Sequence, residues 1–220
     1  MIAIIDYGIG NLRSVEKALH FVGASAILTS DSEQVRQASG VILPGVGAFG
    51  ACASGLENAG FVPIVKELAA LGRPLLGICV GMQLLFDDSE EMGYHSGLGL
   101  LPGSVRRFND DFEGPDGHIL KVPQIGWNQL WHNDTDALLK GVASGSYAYF
   151  VHSYYCDPRD SSAIIARTDY GIDYASVVRK PAGDVWGVQF HPEKSHDVGL
   201  QILRNFVDIV EIGESTGDGN

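Results

Sequence analysis

Cys79 stands in Gly77-Ile78-Cys79-Val80-Gly81, within the almost wholly apolar stretch from Pro74 to Phe86. A thiol in that setting has two readings. One is a small buried hydrophobe, the common fate of a free cysteine. The other is a nucleophile on a sharp strand-to-helix turn, where small flanking residues let the backbone bend and expose the side chain. The N-terminus of the following helix would then lie beside the sulfur and favour thiolate. Gln83, one helical turn on, would offer an amide in an otherwise apolar segment. On this stretch alone the two readings stand level. His191-Pro192-Glu193 separates them. It follows the strand-like run Val185–Phe190, and Pro192 biases His191 toward extended chain. Residues two apart in extended chain share a side, which would bring Glu193 to the imidazole. A carboxylate on one ring nitrogen fixes the tautomer and leaves the other nitrogen free to serve a nucleophile. A surface ion pair would explain any single His-Pro-Glu, but it explains less beside a glycine-flanked cysteine. Pro44-Gly45-Val46-Gly47 reads by itself as a turn. It could equally aim backbone N–H groups at a developing oxyanion.

These three groups need a scaffold that brings strand ends together. In the first half, Ile2–Ile5, Ala24–Leu28, Val41–Leu43 and Leu75–Cys79 read as buried strands. Leu12, Val15, Leu19 and Val22 recur between them at helical spacing, as do Phe61, Val65 and Leu68. That alternation predicts an α/β fold: a three-layer, doubly wound, mostly parallel sheet with its ligands at the carboxyl ends of the strands. The second half predicts antiparallel additions to the same sheet: Ser104–Phe108, Ile125–Trp131, Tyr147–Tyr155, Ala163–Arg167, Ala175–Arg179 and Val185–Phe190. A closing helix near His196–Val210 has Val198, Ile202, Phe206 and Ile209 on one face. One domain over residues 1–210 is expected, followed by a polar, acidic tail over 211–220 that reads as disordered.

Composition narrows the chemistry. The 220 residues carry a formal net charge of -12, which phosphate backbones would repel, so nucleic acid is not expected as a partner. No apolar run approaches the ~20 residues of a membrane span. The start, Met-Ile-Ala-Ile-Ile-Asp, shows no export signal. The three cysteines show no C-x-x-C spacing, which fits free thiols in a reducing cytoplasm. Cys52 and Cys156 lack a glycine-turn setting and read as structural. His20, His95, His118, His132 and His196 show no metal-ligand spacing, so no metal is expected, while His152 stays open between structure and site. Asp6-Tyr7-Gly8-Ile9-Gly10-Asn11 suggests a dinucleotide loop, but Arg13 occupies the third glycine position and no phosphate loop occurs elsewhere. No cofactor is expected.

Gly-Ile-Cys-Val-Gly-Met-Gln with a later Phe-His-Pro-Glu-Lys-Ser resembles the class I, Cys-His-Glu glutamine amidotransferases. Asp6-Tyr7-Gly8-x-Gly10-Asn11, the segment from Pro44 to Phe49, Gly126-Trp127-Asn128 and the segment from Tyr149 to Tyr154 narrow the resemblance. They are similar to one branch, the glutaminase subunits of imidazole glycerol phosphate synthase, and the match runs in order from residue 1 to about 210. The resemblance implies that Cys79 attacks the carboxamide of L-glutamine, with His191 as base then acid and Glu193 orienting it. It implies oxyanion donors at Val80 and in the Val46–Gly47 loop, and an amino-acid end held by Gln83, Ser153 and Tyr154. It also implies a heterodimer with a (β/α)₈ cyclase. The cyclase uses the ammonia to make imidazole glycerol phosphate and aminoimidazole carboxamide ribotide in histidine biosynthesis. Asn11, Trp127, Tyr149 and Lys194 match positions that face this partner or gate the ammonia path. The glutaminase pattern takes up the chain, so the acceptor site is expected on the other subunit. Gln124 stands where many relatives have histidine, and no role is carried over there. A related amidotransferase feeding another synthase, for instance in surface-sugar amidation, would share the glutaminase motifs. A non-catalytic module on the same fold would be expected to lack part of the Cys-His-Glu set.

Overall fold

The computed structural model describes residues 1–114, 117–133 and 135–217, with side chains as far as Gly213. In chain order the first half gives β1 (Ile2–Ile5), α1 (Leu12–Phe21), β2 (Ala26–Thr29), α2 (Ser32–Gln37), β3 (Gly40–Gly45) and α3 (Phe49–Asn58). It continues with α4 (Phe61–Ala70), β4 (Leu75–Cys79) and the single turn α5 (Val80–Gln83). The second half gives β5 (Asp88–Ser89), β6 (His95–Ser96), β7 (Gly103–Arg107), β8 (Gln124–His132), β9 (Ser146–His152) and β10 (Tyr154–Pro158). Then come β11 (Ile164–Asp169), β12 (Asp173–Arg179), β13 (Val185–Val188) and α6 (His196–Gly217).

The strands join in one sheet. Five strands at one end, in the order β2-β1-β3-β4-β13, are parallel. Strands β1, β3, β4 and β13 are buried along their whole length, which is why their sequences run apolar without alternation. From β13 the sheet continues through antiparallel β12, and the long β8–β9 ribbon joins by way of β11. On β8 and β9 burial alternates: Leu130, Ala148, Phe150 and His152 point inward, while Ile125, Trp127, Trp131 and Tyr147 are exposed. The helices fall into two groups. α1 packs beside α6, whereas α4 packs on both α2 and α3. Among the described residues no helix is long and apolar enough to cross a membrane.

Three expectations need correction. The run Tyr147–Tyr155 is not one strand: it breaks at Ser153, because β9 pairs with β8 whereas β10 pairs with β7 and β12. The closing helix does not stop at Val210 but runs through Gly217. Leu203, Phe206, Val207 and Val210 anchor it in the core, and adding residues to an established helix costs little. The remaining tail, Asp218–Asn220, lies outside the described residues, as do Pro115 and Asp116 of the Asp110–Gly117 loop. Finally, α2, α3, β5 and β6 have no counterpart in the sequence reading.

Sheet register positions the chemistry. In the parallel ladders Gly45 sits opposite Cys79 and Val188 opposite Ile78. The residues that follow β3 and β13 therefore emerge on either side of Cys79, at the carboxyl edge of the sheet.

Candidate active site

Cys79 ends β4 with φ 56° and ψ −113°, a left-handed backbone that a non-glycine residue adopts only under constraint. The glycines around it supply the constraint. A Cβ on Gly81 would lie 1.9 Å from the Leu43 carbonyl oxygen, one on Gly77 2.6 Å from that of Gly81, and one on Gly45 2.7 Å from the Gly81 nitrogen. Strand ends and turn thus interlock with no space for a methyl group, and the bend that presents the thiol is built in. The helix after it is a single turn. A single turn carries far less of the dipole that the sequence led one to expect beside the sulfur.

His191 is reached by a turn as well. It has extended backbone and is followed by a 3-10 turn over Pro192–Lys194, which carries Glu193 back to the imidazole. Extended chain through Glu193, the expectation from Pro192, is not what brings the pair together. The Glu193 carboxylate can only accept, so His191 Nδ1–H donates to its Oε1 at 2.9 Å. Both side chains are buried, at 4% and 0% exposure, so the pair is shielded from solvent screening. The tautomer is fixed and Nε2 is left for the cysteine. Burial alone would push the imidazole down. Hydrogen bonds and charge interactions with Cys79 and Glu193 outweigh it and raise the pKa to about 10. Ser195 Oγ holds this turn by donating to the His191 carbonyl at 2.7 Å and accepting from Tyr149 N–H at 2.9 Å. Asn11, expected at the partner face or ammonia path, sends its Nδ2 to Glu193 Oε1 at 3.4 Å.

The third wall is the loop after β3. Gly47 has φ 85°, open to glycine at no cost. The loop is pinned by three side chains. Tyr7 Oη donates to the Pro44 carbonyl at 2.6 Å, Cys52 Sγ donates to the Val46 carbonyl at 3.3 Å, and Glu91 Oε2 accepts from Phe49 N–H at 2.6 Å. Cys52 and Tyr7 are buried, and burial holds both un-ionised. The loop that carries Asp6–Asn11 thus supports the site through Tyr7 and Asn11.

One cavity of about 380 Å³ collects these parts. Val46, Gly47, Cys79, Val80, Gln83, Ser153, Tyr154, His191 and Lys194, all singled out from sequence, line it. Glu193 lies behind His191 with its side chain fully buried. Two lining residues add to the sequence reading. Glu91 brings a carboxylate from the segment after β5; no motif surrounds it in the sequence. His152, left open before, donates Nδ1–H to the Tyr154 carbonyl at 2.7 Å. That carbonyl also accepts from Gln83 Nε2 at 3.0 Å. Desolvation lowers the His152 pKa to about 4, so it stays a neutral structural donor at physiological pH.

Trp127, Tyr149 and Lys194 gather at the surface beside the cavity. Trp127 meets Tyr149 edge-on at 5.9 Å and stacks on His196 at 5.0 Å with an interplanar angle of 6°. Lys194 Nζ lies 5.8 Å from the Tyr149 ring centroid. Trp127 remains 45% exposed, and Ile125 and Tyr147 extend the apolar surface along the β8–β9 ribbon. Among the described residues no group of three or more His, Cys, Asp or Glu side chains is placed to hold a metal ion.

Comparison with known proteins places this geometry. The family model for glutamine amidotransferase class-I matches residues 3–210. The imidazole glycerol phosphate synthase subunit HisH of Bacillus cereus (strain G9842) is 49% identical over 216 residues, 98% of each chain. The HisH subunit of Syntrophotalea carbinolica is 50% identical over 210 residues, 95% of this chain and all of the relative. Among solved structures, a glutamine amidotransferase superposes with a TM-score of 0.73 at 20% identity, over 96% of this chain and 100% of that one. A chain of PurLQS from Thermotoga maritima gives 0.70 at 18% identity, over 94% and 97%.

Proposed function

This chain belongs to the class-I glutamine amidotransferase family, and from that premise we propose that it is the glutaminase subunit of an imidazole glycerol phosphate synthase. It hydrolyses L-glutamine to glutamate and hands the ammonia to a separate cyclase subunit. The observation that carries the reading is the convergence of Cys79, His191 and the oxyanion loop on one cavity, with Glu193 held 2.9 Å from His191. The near-full-length identity to HisH subunits supports the choice of branch.

In this reading the Cys79 thiolate attacks the side-chain carbonyl carbon of glutamine, forming a C–S bond and placing negative charge on the oxygen. Backbone N–H groups of Val80 and of the Val46–Gly47 loop receive that charge; one such donor is typically worth about 10²–10³ in rate. The imidazolium gives its proton to the departing nitrogen, the C–N bond breaks, and ammonia leaves a thioester. His191 then takes a proton from water, hydroxide adds, and the C–S bond breaks to give glutamate and thiolate. Glu193 keeps the imidazole in one orientation and offsets its charge through both steps.

The cavity polarity suits the amino-acid end of glutamine. Gln83 spends its Nε2 hydrogens on Tyr154 O and on Gln189 Oε1, at 3.0 and 3.3 Å. It therefore faces substrate with its carbonyl oxygen. That acceptor and the Glu91 carboxylate match an α-ammonium group, and the main chain at Ser153 and Tyr154 is left for the α-carboxylate.

The exposed Trp127 patch, with Tyr149 and Lys194, is the proposed docking surface for the (β/α)₈ cyclase. Trp and Tyr are the usual anchors of such interfaces. The Val46–Gly47 loop can turn its peptides over, and we place the control of glutaminase activity there, with alignment completed when the ligand-loaded cyclase binds. The test is reconstitution. Mixed with the cyclase and its ribotide substrate, this chain should make imidazole glycerol phosphate formation depend on glutamine. Ammonia production with no such coupling would assign the chain to a different synthase.

A further inference from the structure

Gln189 is fully buried and does not line the cavity. Parallel pairing of β4 with β13 puts Ile78 beside Val188, so the next residues, Cys79 and Gln189, come out side by side. A buried amide must satisfy both its ends. Gln189 Oε1 accepts from Gln83 Nε2 at 3.3 Å, and Gln189 Nε2 donates toward Cys79 Sγ at 3.9 Å. Turning this amide over would set oxygen against the sulfur and two amide nitrogens against each other, so its orientation is fixed. Gln83, held by Gln189 and by the Tyr154 carbonyl, is fixed in turn.

We infer that Gln189 is a positioning residue for the glutaminase reaction: its oxygen locks Gln83 with the carbonyl toward substrate, and its N–H steadies the Cys79 sulfur. The inference rests on the glutaminase reading above. The titratable groups around Cys79 are distinct from it. His191 and Glu193 follow β13, Tyr7 follows β1, Cys52 is on α3, Cys156 is on β10, and Glu91 and Lys194 line the cavity. Burial keeps Tyr7, Cys52 and Cys156 un-ionised. Gln189 contributes a fixed dipole among them and no charge.

Two substitutions separate its two ends. Gln189→Met removes both polar groups at similar volume. Gln189→Glu keeps an oxygen for Gln83 and removes the amide donor to sulfur. The readouts are the pH midpoint of Cys79 alkylation by iodoacetamide, with Cys79→Ala as the blank, and KM and kcat for glutamine. Circular dichroism checks the fold. Gln189→Met should raise the midpoint by about one pH unit and KM about tenfold. Gln189→Glu should raise the midpoint at least as much, with KM within about threefold of wild type. Unchanged midpoints and KM in both variants, or equal KM increases in both, would overturn the inference. If Gln189→Met does not fold, an unmoved midpoint in Gln189→Glu overturns it alone. A wild-type chain that fails to turn over glutamine even with the ligand-loaded cyclase defeats the glutaminase reading instead, because alkylation requires no substrate.

Discussion

At the scale of single residues, the site separates groups that must ionise from groups that must not. His191 is raised to about 10 by its partners Cys79 and Glu193, whereas His152, in the same cavity wall, is pushed down to about 4 by desolvation. The second shift has a consequence for stability. Between its folded pKa of about 4 and the ordinary 6.5, the unfolded chain binds a proton that the folded chain refuses. This contribution is therefore complete above pH 6.5 and is lost as pH falls toward 4, by roughly 3 kcal/mol in all. In His152→Asn, which cannot titrate, unfolding free energies measured in urea from pH 4 to 7 should lose that part of the acid slope. An unchanged slope would show that His152 is not a buried neutral base. Sequence reading could identify Cys79, His191 and Glu193 because their motifs have local signatures. It could not identify Glu91 or Gln189, since each acquires meaning only from a neighbour distant in the chain: Phe49 for one, Cys79 and Gln83 for the other.

At the scale of elements, the elbow is a packing device made of strand ends. Gly45, Gly77 and Gly81 meet backbone atoms at distances that leave no room for a side chain, whereas Gly47 has open space around it and needs glycine only for its φ of 85°. The two kinds of glycine should respond differently. Gly81→Ala must push β3 away from the turn and should cost at least ~3 kcal/mol in urea unfolding, within the range of severe core substitutions. Gly47→Ala should cost only about 1–2 kcal/mol, the left-handed penalty, while lowering the glutaminase rate, because the oxyanion loop loses conformational freedom. Equal destabilisation by both would contradict this division. The parallel strands were legible from their unbroken apolar runs, and β8 and β9 from strand-like segments, whereas the pairing of β8 with β9 was not. Helix α3 was hidden because Gly50 and Gly55 lower its helical propensity, and α2 because it is only six residues long. The His191–Glu193 contact was expected for a mistaken local reason: Pro192 begins a 3-10 turn, and the turn, not extended chain, closes the 2.9 Å bond.

At the scale of the whole molecule, a mostly buried glutaminase cavity opens beside an exposed aromatic ribbon. In the proposed function that arrangement releases ammonia next to the subunit that consumes it, a reading supported by family membership and near-full-length identity to HisH subunits. Under that reading, docking near Trp127 reaches the chemistry at Cys79 through Tyr149 and the turn that carries His191 and Lys194. The most direct measurement is ammonia release from glutamine by wild type and by Cys79→Ala, each alone and with ligand-loaded cyclase. Wild type should accelerate when the loaded cyclase is added, and Cys79→Ala should fall by at least ~10³-fold under both conditions. Ammonia release by Cys79→Ala at the wild-type rate would contradict a covalent glutaminase built on this cysteine.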